Sequence, residues 1–398
     1  MLFWDTRFGK LGRRVMDELQ RHRLAFKVIR PVAWVLMKTL FNYEYDDLSK
    51  IEGPYLLLVN HNLELDPAAV GVAAGNQLYF VASEHILRKG FGTWFLMNFF
   101  RPIIHMKGRQ GINTVKQMLK ILREHSVCIF PEGNRSFNGL TGEIQPSIAK
   151  VARRSGAKLL TYRIEGGYLS QPRWSLSLRK GRLRGRLIHE YSREELKGMT
   201  DQEVNDAICA DLFEDAYATQ KQERIAFRGK NLALGMESTL FTCPDCGRMG
   251  TLHSEGDRLY CECGFSAVYD EYGELTDQQG RIYTVTELDA MQQEQLKAKL
   301  EEYSEDEPLF SDTVTWYEIN GQHEVTGTEE GVLTAYKDRL TFKEKTVKYT
   351  DLQGMAIYSR NFVILHMEGM DGHVELKADK MFCALKYLYL YELERNQV

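Results

Sequence analysis

Short apolar runs alternate with helix-like patterns from the start of the chain to about residue 238. The apolar runs predict strands at Tyr55–Asn60, Leu78–Ala82, Ile103–Met106, Ser126–Phe130 and Lys158–Ile164. Amphipathic periodicity predicts helices that include Pro67–Ala74, Ile112–His125 and Gln145–Ser155. Strands that alternate with helices indicate an α/β domain.

The rest of the chain follows other patterns. A cysteine module is predicted over residues 241–275, a charged helix over Glu287–Tyr303, and after it β-strands closed by the helix Lys380–Glu394. We therefore divide the chain into residues 1–50, 51–238, 239–280, 281–310 and 311–398. The second segment is the α/β domain, the third holds the cysteines, the fourth is a helical linker and the last is a β-rich domain.

Charge is unevenly distributed along the 398 residues. Residues 1–240 hold 36 Lys and Arg against 25 Asp and Glu, a net +11, whereas the remainder carries −15. A basic half suggests an anionic partner, and both nucleic acid and anionic lipid meet that description. Nucleic acid is the poorer fit, because the aromatic residues cluster in apolar runs instead of between the basic residues.

Four of the seven cysteines form two close pairs, Cys243 with Cys246 and Cys261 with Cys263. Four thiolates close a tetrahedral zinc site with no position left for water, which is typical of a structural ion. The pattern resembles a zinc ribbon, and the short second pair leaves His253 as an alternative ligand. The other cysteines lie far apart in sequence, which indicates a reducing compartment.

A candidate catalytic pair follows the first strand of the α/β domain. His61 comes just after the apolar run, and Asp66 before Pro67 is typical of a helix N-cap with proline at the first helical position. A carboxylate on this turn can bind the imidazole, fix its tautomer and raise its basicity, so that the other ring nitrogen takes a proton. For this pair alone, a capping Asp beside an incidental His is the alternative.

A second polar segment, Phe130–Ser136, follows another predicted strand. Gly133 suits a tight turn with exposed N–H groups, and Arg135 offers a planar fork for a phosphate. Ligand sites in α/β sheets lie beyond the carboxyl ends of strands, and both polar segments occupy such ends. Together they predict a functional site more strongly than either segment does alone.

Asn-His-x4-Asp-Pro at residues 60–67, followed by Phe-Pro-Glu-Gly-Asn-Arg-Ser at residues 130–136, resembles the lysophosphatidate (1-acylglycerol-3-phosphate) O-acyltransferase family. The resemblance covers roughly residues 30–200. It implies an acyltransferase domain with a mixed sheet flanked by helices. To this domain the chain adds the zinc ribbon and a β-rich C-terminal domain that faintly resembles the pleckstrin-homology fold.

The resemblance also implies a role for each matching residue. His61 would be the general base that deprotonates the acceptor hydroxyl, and Asp66 would orient it. Acceptor binding would fall to Glu132, Gly133, Arg135 and Lys107. Arg135 is the better candidate for the phosphate, and Lys107 stands where the family usually has arginine. No catalytic cofactor is implied, because the acyl donor is acyl-CoA or an acyl carrier protein (ACP).

Two segments have the composition of helices that lie on a membrane surface. Residues 24–41 mix apolar side chains with lysine and arginine, and residues 91–100 are aromatic but too short to span a bilayer. Flanking positive charge favours contact with an anionic membrane over the alternative, burial in the core. Arg182, Arg184 and Arg186 alternate as on one strand face, where they would bind headgroups or CoA phosphates, or form a solvated edge strand.

The sequence therefore predicts a peripheral acyltransferase on the cytoplasmic face of the cell membrane that converts lysophosphatidate to phosphatidate. Its partners would be a lysophospholipid acceptor, acyl-CoA or ACP, and the anionic membrane surface, with no nucleic acid. Acylation of glycerol 3-phosphate or of another lysophospholipid is the alternative within the enzyme class. A non-catalytic lipid-binding adaptor is the alternative outside it, and the intact pair His61 and Asp66 argues against it.

Overall fold

The computed structural model describes residues 6–84, 91–105, 112–379 and 381–395. These residues form two compact units, each built from separate stretches of sequence. The first unit contains the described residues up to Arg135, Thr141–Gly167 and Arg182–Glu214, and the second contains Ser136–Leu140, Tyr168–Gly181 and the residues from Asp215 onwards. The cuts at residues 50, 238, 280 and 310 stay predictions of domain boundaries.

A seven-stranded sheet forms the centre of the first unit. Its strands are β1 (Glu44–Tyr45), β2 (Tyr55–Val59), β3 (Leu78–Ser83), β4 (Ile103–His105), β5 (Ser126–Ile129), β6 (Lys158–Glu165) and β7 (Arg184–Tyr191). Their order across the sheet is β1-β7-β6-β2-β5-β3-β4, and within the described residues each neighbouring pair is parallel except β6 with β7. This mixed sheet confirms the predicted fold class, and it brings the carboxyl ends of β2 to β6 to one edge.

Helices cover both faces of this sheet. They are α1 (Thr6–Phe41), α2 (Asp66–Ala74), α3 (Phe91–Phe99), α4 (Ile112–Ile121), α5 (Ser147–Ser155), α7 (Arg193–Gly198) and α8 (Asp201–Leu212), while the short α6 (Gly167–Ser170) lies where the chain passes into the second unit. Leu57 and Val59 of β2 pack with residues of α1 and α2, whereas Leu56 and Leu58 pack with residues of α4, α5 and α8. β2 is apolar throughout because both of its faces are covered.

Two local predictions about this unit are wrong. The N-cap of α2 is Leu65 and not Asp66, because Asp66 has already entered the helix and its carboxylate is bound by the preceding loop. The alternative of a solvated edge strand for the arginine-rich segment also fails, because β7 lies between β6 and β1. β1 has only two residues, which is too short a pattern to recognise in a sequence.

The described residues of the second unit include two antiparallel sheets and further α-helices. The first sheet consists of β8 (Leu252–Glu255), β9 (Arg258–Cys261), β10 (Ser266–Tyr269), β11 (Leu275–Asp277) and β12 (Ile282–Tyr283), in the order β12-β11-β10-β9-β8. The helices are α9 (Ala216–Glu223), α10 (Val285–Glu302) and α11 (Leu385–Arg395).

The second of these sheets lies near the C-terminus. It consists of β13 (Phe310–Asn320), β14 (Val325–Ala335), β15 (Arg339–Phe342), β16 (Lys345–Lys348), β17 (Leu352–Tyr358), β18 (Phe362–Met367) and β19 (Gly372–Lys377), in the order β16-β15-β14-β13-β19-β18-β17. Leu385, Tyr387 and Leu390 of α11 share one core with Trp316 and Leu333 of this sheet. The prediction of a β-rich C-terminal region closed by one helix is therefore confirmed.

Candidate active site

His61 lies on the loop between β2 and α2, at the sheet edge where the parallel strands end. Its Nδ1 is 2.9 Å from Oδ2 of Asp66. The imidazole stacks on the ring of Phe130, which follows β5, with 4.6 Å between the centroids. The side chain of His61 keeps 21% of its surface exposed, so the pair stands in a partly open position.

The side chain of Asp66 is buried in the first turn of α2. The oxygen that contacts His61 also accepts hydrogen bonds from the backbone N–H groups of Asn62 at 2.8 Å and Leu63 at 2.9 Å. These bonds hold the carboxylate in one orientation. Nδ1–H of His61 therefore donates to Asp66, and Nε2 carries the lone pair that accepts a proton.

Glu132 bridges the two loops of the site. Its Oε1 accepts the backbone N–H of His61 at 2.6 Å, and its Oε2 accepts the N–H of Gly142 at 2.6 Å. Burial raises the pKa of Glu132 to about 8, and the two N–H donors oppose that shift. The role of Glu132 in acceptor binding stays a prediction. In the structure its carboxylate accepts hydrogen bonds from the backbone of His61 and Gly142.

Gly133 and Arg135 lie on the turn after β5. Gly133 has a φ of +68°, in the left-handed region that favours glycine, and its N–H donates to the carbonyl of Phe130 at 3.1 Å. Arg135 is half-buried, and burial lowers the pKa of its guanidinium, while the charges of Glu64 and Asp66 raise it. Arg135 is therefore within electrostatic reach of the loop that carries His61.

Lys107, the remaining residue predicted to bind the acceptor, lies outside the described residues. The strand that precedes it, β4, ends at His105. β4 runs parallel to β3, and the carboxyl end of β4 therefore lies at the same sheet edge as His61.

Sequence reasoning missed three buried polar residues beside His61. Asn60 and Asn62 flank it in sequence, and both donate through Nδ2 to the carboxylate of Glu214, which follows α8. Burial raises the pKa of Glu214 to about 8, and the hydrogen bond from the N–H of Gly166 opposes that shift. The two asparagines were visible as neighbours of His61, whereas nothing in the sequence around Glu214 indicated its partners.

Glu132 and Glu214 make the stability of the first unit depend on pH. The pKa of a glutamate is ordinarily about 4.5, and folding raises the pKa of each of these to about 8. Between these values the folded state binds more protons than the unfolded state. We therefore expect the free energy of unfolding to fall as the pH rises through this window. Urea titrations measure the slope, which should be smaller in Glu214→Gln, and an unchanged slope would contradict the raised pKa of Glu214.

The four predicted metal ligands come together in the second unit. Sγ of Cys243 lies 3.7 Å from Sγ of Cys263, Sγ of Cys246 lies 3.9 Å from Sγ of Cys261, and the ligand atoms of the group are all within 4.8 Å of one another. Zn–S bonds of about 2.3 Å in a tetrahedron separate the sulfurs by roughly 3.8 Å, so the group fits a metal ion. The separations are too long for disulfides. His253 does not belong to this group of described ligands.

Comparison with known proteins identifies the class of the first unit. Residues 41–165 match the model of the Acyltransferase family, and this segment contains β2, the loop of His61 and the turn of Arg135. The segment is thus an acyltransferase domain, and the protein is an acyltransferase enzyme. This match covers both of the polar motifs that carry the resemblance described in the sequence analysis.

Solved structures give a more distant likeness. The 1-acyl-sn-glycerophosphate (LPA) acyltransferase PlsC from Thermotoga maritima shares 13% sequence identity with this chain, at a TM-score of 0.41. The likeness covers 50% of this chain and 79% of that one. No curated protein matches the sequence. The assignment of the acyltransferase domain therefore rests on the family model.

Proposed function

We propose that this acyltransferase moves a fatty acyl group from a thioester donor to the free hydroxyl of 1-acylglycerol 3-phosphate, giving phosphatidate. The contact of 2.9 Å between Nδ1 of His61 and Oδ2 of Asp66 carries the proposal. An imidazole held in this way accepts a proton through Nε2. Arg135, within electrostatic reach of the same loop, offers the guanidinium that a phosphate prefers.

The proposed reaction is a direct transfer. Nε2 of His61 takes the proton from the acceptor hydroxyl as that oxygen attacks the carbonyl carbon of the thioester. The tetrahedral intermediate then collapses, the C–S bond breaks, and the thiol leaves with the proton that His61 had taken up. Asp66 stabilises the imidazolium between the two steps. The donor is acyl-CoA or acyl-ACP, because each carries the thioester that this chemistry requires.

An acceptor panel tests this function. The purified protein and His61→Ala would receive a labelled acyl donor with lysophosphatidate, glycerol 3-phosphate or a lysophospholipid without a free phosphate group. We expect the wild type to turn over lysophosphatidate fastest and His61→Ala to form little product. Preference for another acceptor would overturn the substrate assignment. If both proteins bound vesicles but turned over no acceptor, the alternative of a non-catalytic lipid-binding adaptor would be favoured.

We also propose that the enzyme reaches its lipid acceptor through one face of α1. That face exposes apolar side chains about one helical turn apart: Leu24, Val28, Val32 and Val35. The opposite face buries Phe26, Met37 and Phe41 in a core of the first unit. Among the described residues, no helix is both long and apolar enough to cross a bilayer. An exposed apolar stripe on a helix that also carries basic residues suits the surface of an anionic membrane, such as the cytoplasmic leaflet.

Substitutions in this stripe test the membrane proposal. Val28 and Val32 are 61% and 66% exposed, so Val28→Asp with Val32→Asp should leave the fold intact. Losing two apolar contacts and adding two negative charges should weaken binding to phosphatidylglycerol vesicles by about 100-fold or more. Val325→Asp is the matched control, because that valine is 57% exposed on β14. Equal vesicle sedimentation of the double variant and the control would contradict this role of α1.

For the four cysteines we propose a structural zinc ion. Their thiolates would fill all four positions of a tetrahedral site, which leaves no place for a reacting water. Cys243 and Cys261 are buried, and the turns after Cys246 and Cys263 contain Gly247 and Gly264 at positive φ. Such turns let a short loop fold around an ion, so zinc would tie the segment before β8 to the connection between β9 and β10.

A further inference from the structure

Glu214 lies directly beneath the loop of His61, although 153 positions separate the two residues in the sequence. Its side chain is buried, and both of its oxygens accept hydrogen bonds from N–H donors. The backbone N–H of Gly166 donates to Oε1 at 3.0 Å. Nδ2 of Asn60 donates to Oε2 at 3.1 Å, and Nδ2 of Asn62 donates to the same oxygen. One carboxylate thus holds the residues on either side of His61.

The same two asparagines are also tied to the end of β6. Asn60 accepts the backbone N–H of Ile164 at 2.7 Å and donates to the carbonyl of Ile164 at 2.9 Å. Asn62 donates to that carbonyl at 3.2 Å. Glu214 therefore completes a set of bonds that fixes the backbone of the loop, while the imidazole of His61 remains outside this set.

A second path leads from Glu214 to the backbone of His61 itself. The N–H of Glu214 donates to Oγ1 of Thr141 at 2.8 Å, and the N–H of Thr141 donates to the carbonyl of Glu214 at 3.0 Å. The next residue, Gly142, donates to Glu132, which in turn accepts the N–H of His61 at 2.6 Å. Together with the backbone, these hydrogen bonds link Glu214 to the loop of His61 by two routes. One route runs through Asn60 and Asn62, and the other runs through Thr141, Gly142 and Glu132.

We propose that Glu214 is a positioning residue for acyl transfer, which holds His61 through Asn60, Asn62 and the Thr141 segment without touching substrate. This inference rests on His61 being the base of the proposed reaction. All partners of the Glu214 side chain are N–H donors, so above its raised pKa of about 8, where the carboxyl is ionised, Glu214 accepts at both ends. An amide cannot do so, because one of its ends is a donor.

The central variant is Glu214→Gln, assayed at a pH above the pKa of Glu214, where the wild-type carboxyl is ionised. Its NH2 group must face either the two asparagine donors or the N–H of Gly166, so one side of the loop loses its anchor. A displacement of about 1 Å at a catalytic group lowers the rate by roughly 100-fold, so we expect a loss of that order in kcat, with KM for the acceptor little changed. Asn62→Ala is a second variant for the case that Glu214→Gln does not fold. It removes one of the donors to Glu214 and is expected to lower kcat by roughly tenfold.

A matched control separates positioning from a general loss of stability. Glu165→Gln is the control, because this glutamate lies at the end of β6 and pairs with Arg163 and Arg186 instead of with the loop. Wild-type kcat in Glu214→Gln, or a loss of similar size in Glu165→Gln, would overturn the proposal.

A spectroscopic readout distinguishes failure of this inference from failure of the proposed function. The Nδ1–H proton of His61, deshielded by its hydrogen bond to Asp66, should give a downfield proton resonance in the wild type. We expect that resonance to broaden in Glu214→Gln and to persist in Glu165→Gln. If the wild type turned over no acceptor while the resonance behaved in this way, the proposed function would fail and the positioning role would stand. An unchanged resonance in Glu214→Gln would overturn the positioning role.

Discussion

Replacing His61 by alanine is expected to lower kcat for acyl transfer to lysophosphatidate by about 10²–10⁴-fold, the range ordinarily lost with a general base. The imidazole is partly exposed and stacks on Phe130, so its removal leaves the buried Asp66 with its two backbone donors. KM for the acceptor should therefore change little, and the unfolding temperature should stay close to that of the wild type.

Steady-state rates with a labelled acyl donor measure this effect. His189→Ala is a suitable control, because His189 lies on β7 in the same unit and stacks on Tyr191 instead of on a residue of the site. Its kcat should match that of the wild type. Equal rates for the wild type and His61→Ala would eliminate the mechanism, whatever the acceptor.

Replacing Cys246 by serine should remove bound zinc from the purified protein almost completely. The wild type is expected to contain about one zinc ion per chain, because four thiolates can satisfy its coordination. Metal binding by such a group contributes directly to folding, so a chelator should unfold the sheet of β8 to β12 before the rest of the chain. Strand order in that sheet places β9, which ends at Cys261, beside β8 and β10.

Elemental analysis of the two proteins decides the zinc proposal. Cys209→Ser is the matched control, since Cys209 lies on α8 in the first unit and outside the group of four. That variant should keep its zinc. Stoichiometric zinc in Cys246→Ser would show that the four cysteines are not the site.

The central strands could be predicted from the sequence because they carry uninterrupted apolar runs. β2 is buried at every position, and its predicted limits, Tyr55–Asn60, exceed the observed strand by one residue. The two-residue β1 and the placement of β7 beside it could not be predicted, because a backbone pairing of that length leaves no periodic pattern. The helix predicted over Ile112–His125 ends at Ile121, since the last turn of a helix is weakly specified by sequence.

The pairing of His61 with Asp66 could be predicted because both residues lie on one short turn. Glu214 could not, since it reaches the loop only after α8 has crossed the sheet, and a glutamate that follows a helix is ordinarily a solvated surface residue. Glu132 is an intermediate case. The resemblance marked the residue, but only the fold brings its two oxygens to the N–H groups of His61 and Gly142.

A crystal structure with 1-acylglycerol 3-phosphate and a non-reactive analogue of the acyl donor would test the central claim most directly. The measured quantity is the distance from Nε2 of His61 to the free hydroxyl of the acceptor. We expect roughly 2.6–3.2 Å, the reach of a general base, with the phosphate bound by the guanidinium of Arg135. An acceptor hydroxyl directed at another side chain, or a phosphate bound away from Arg135, would contradict it.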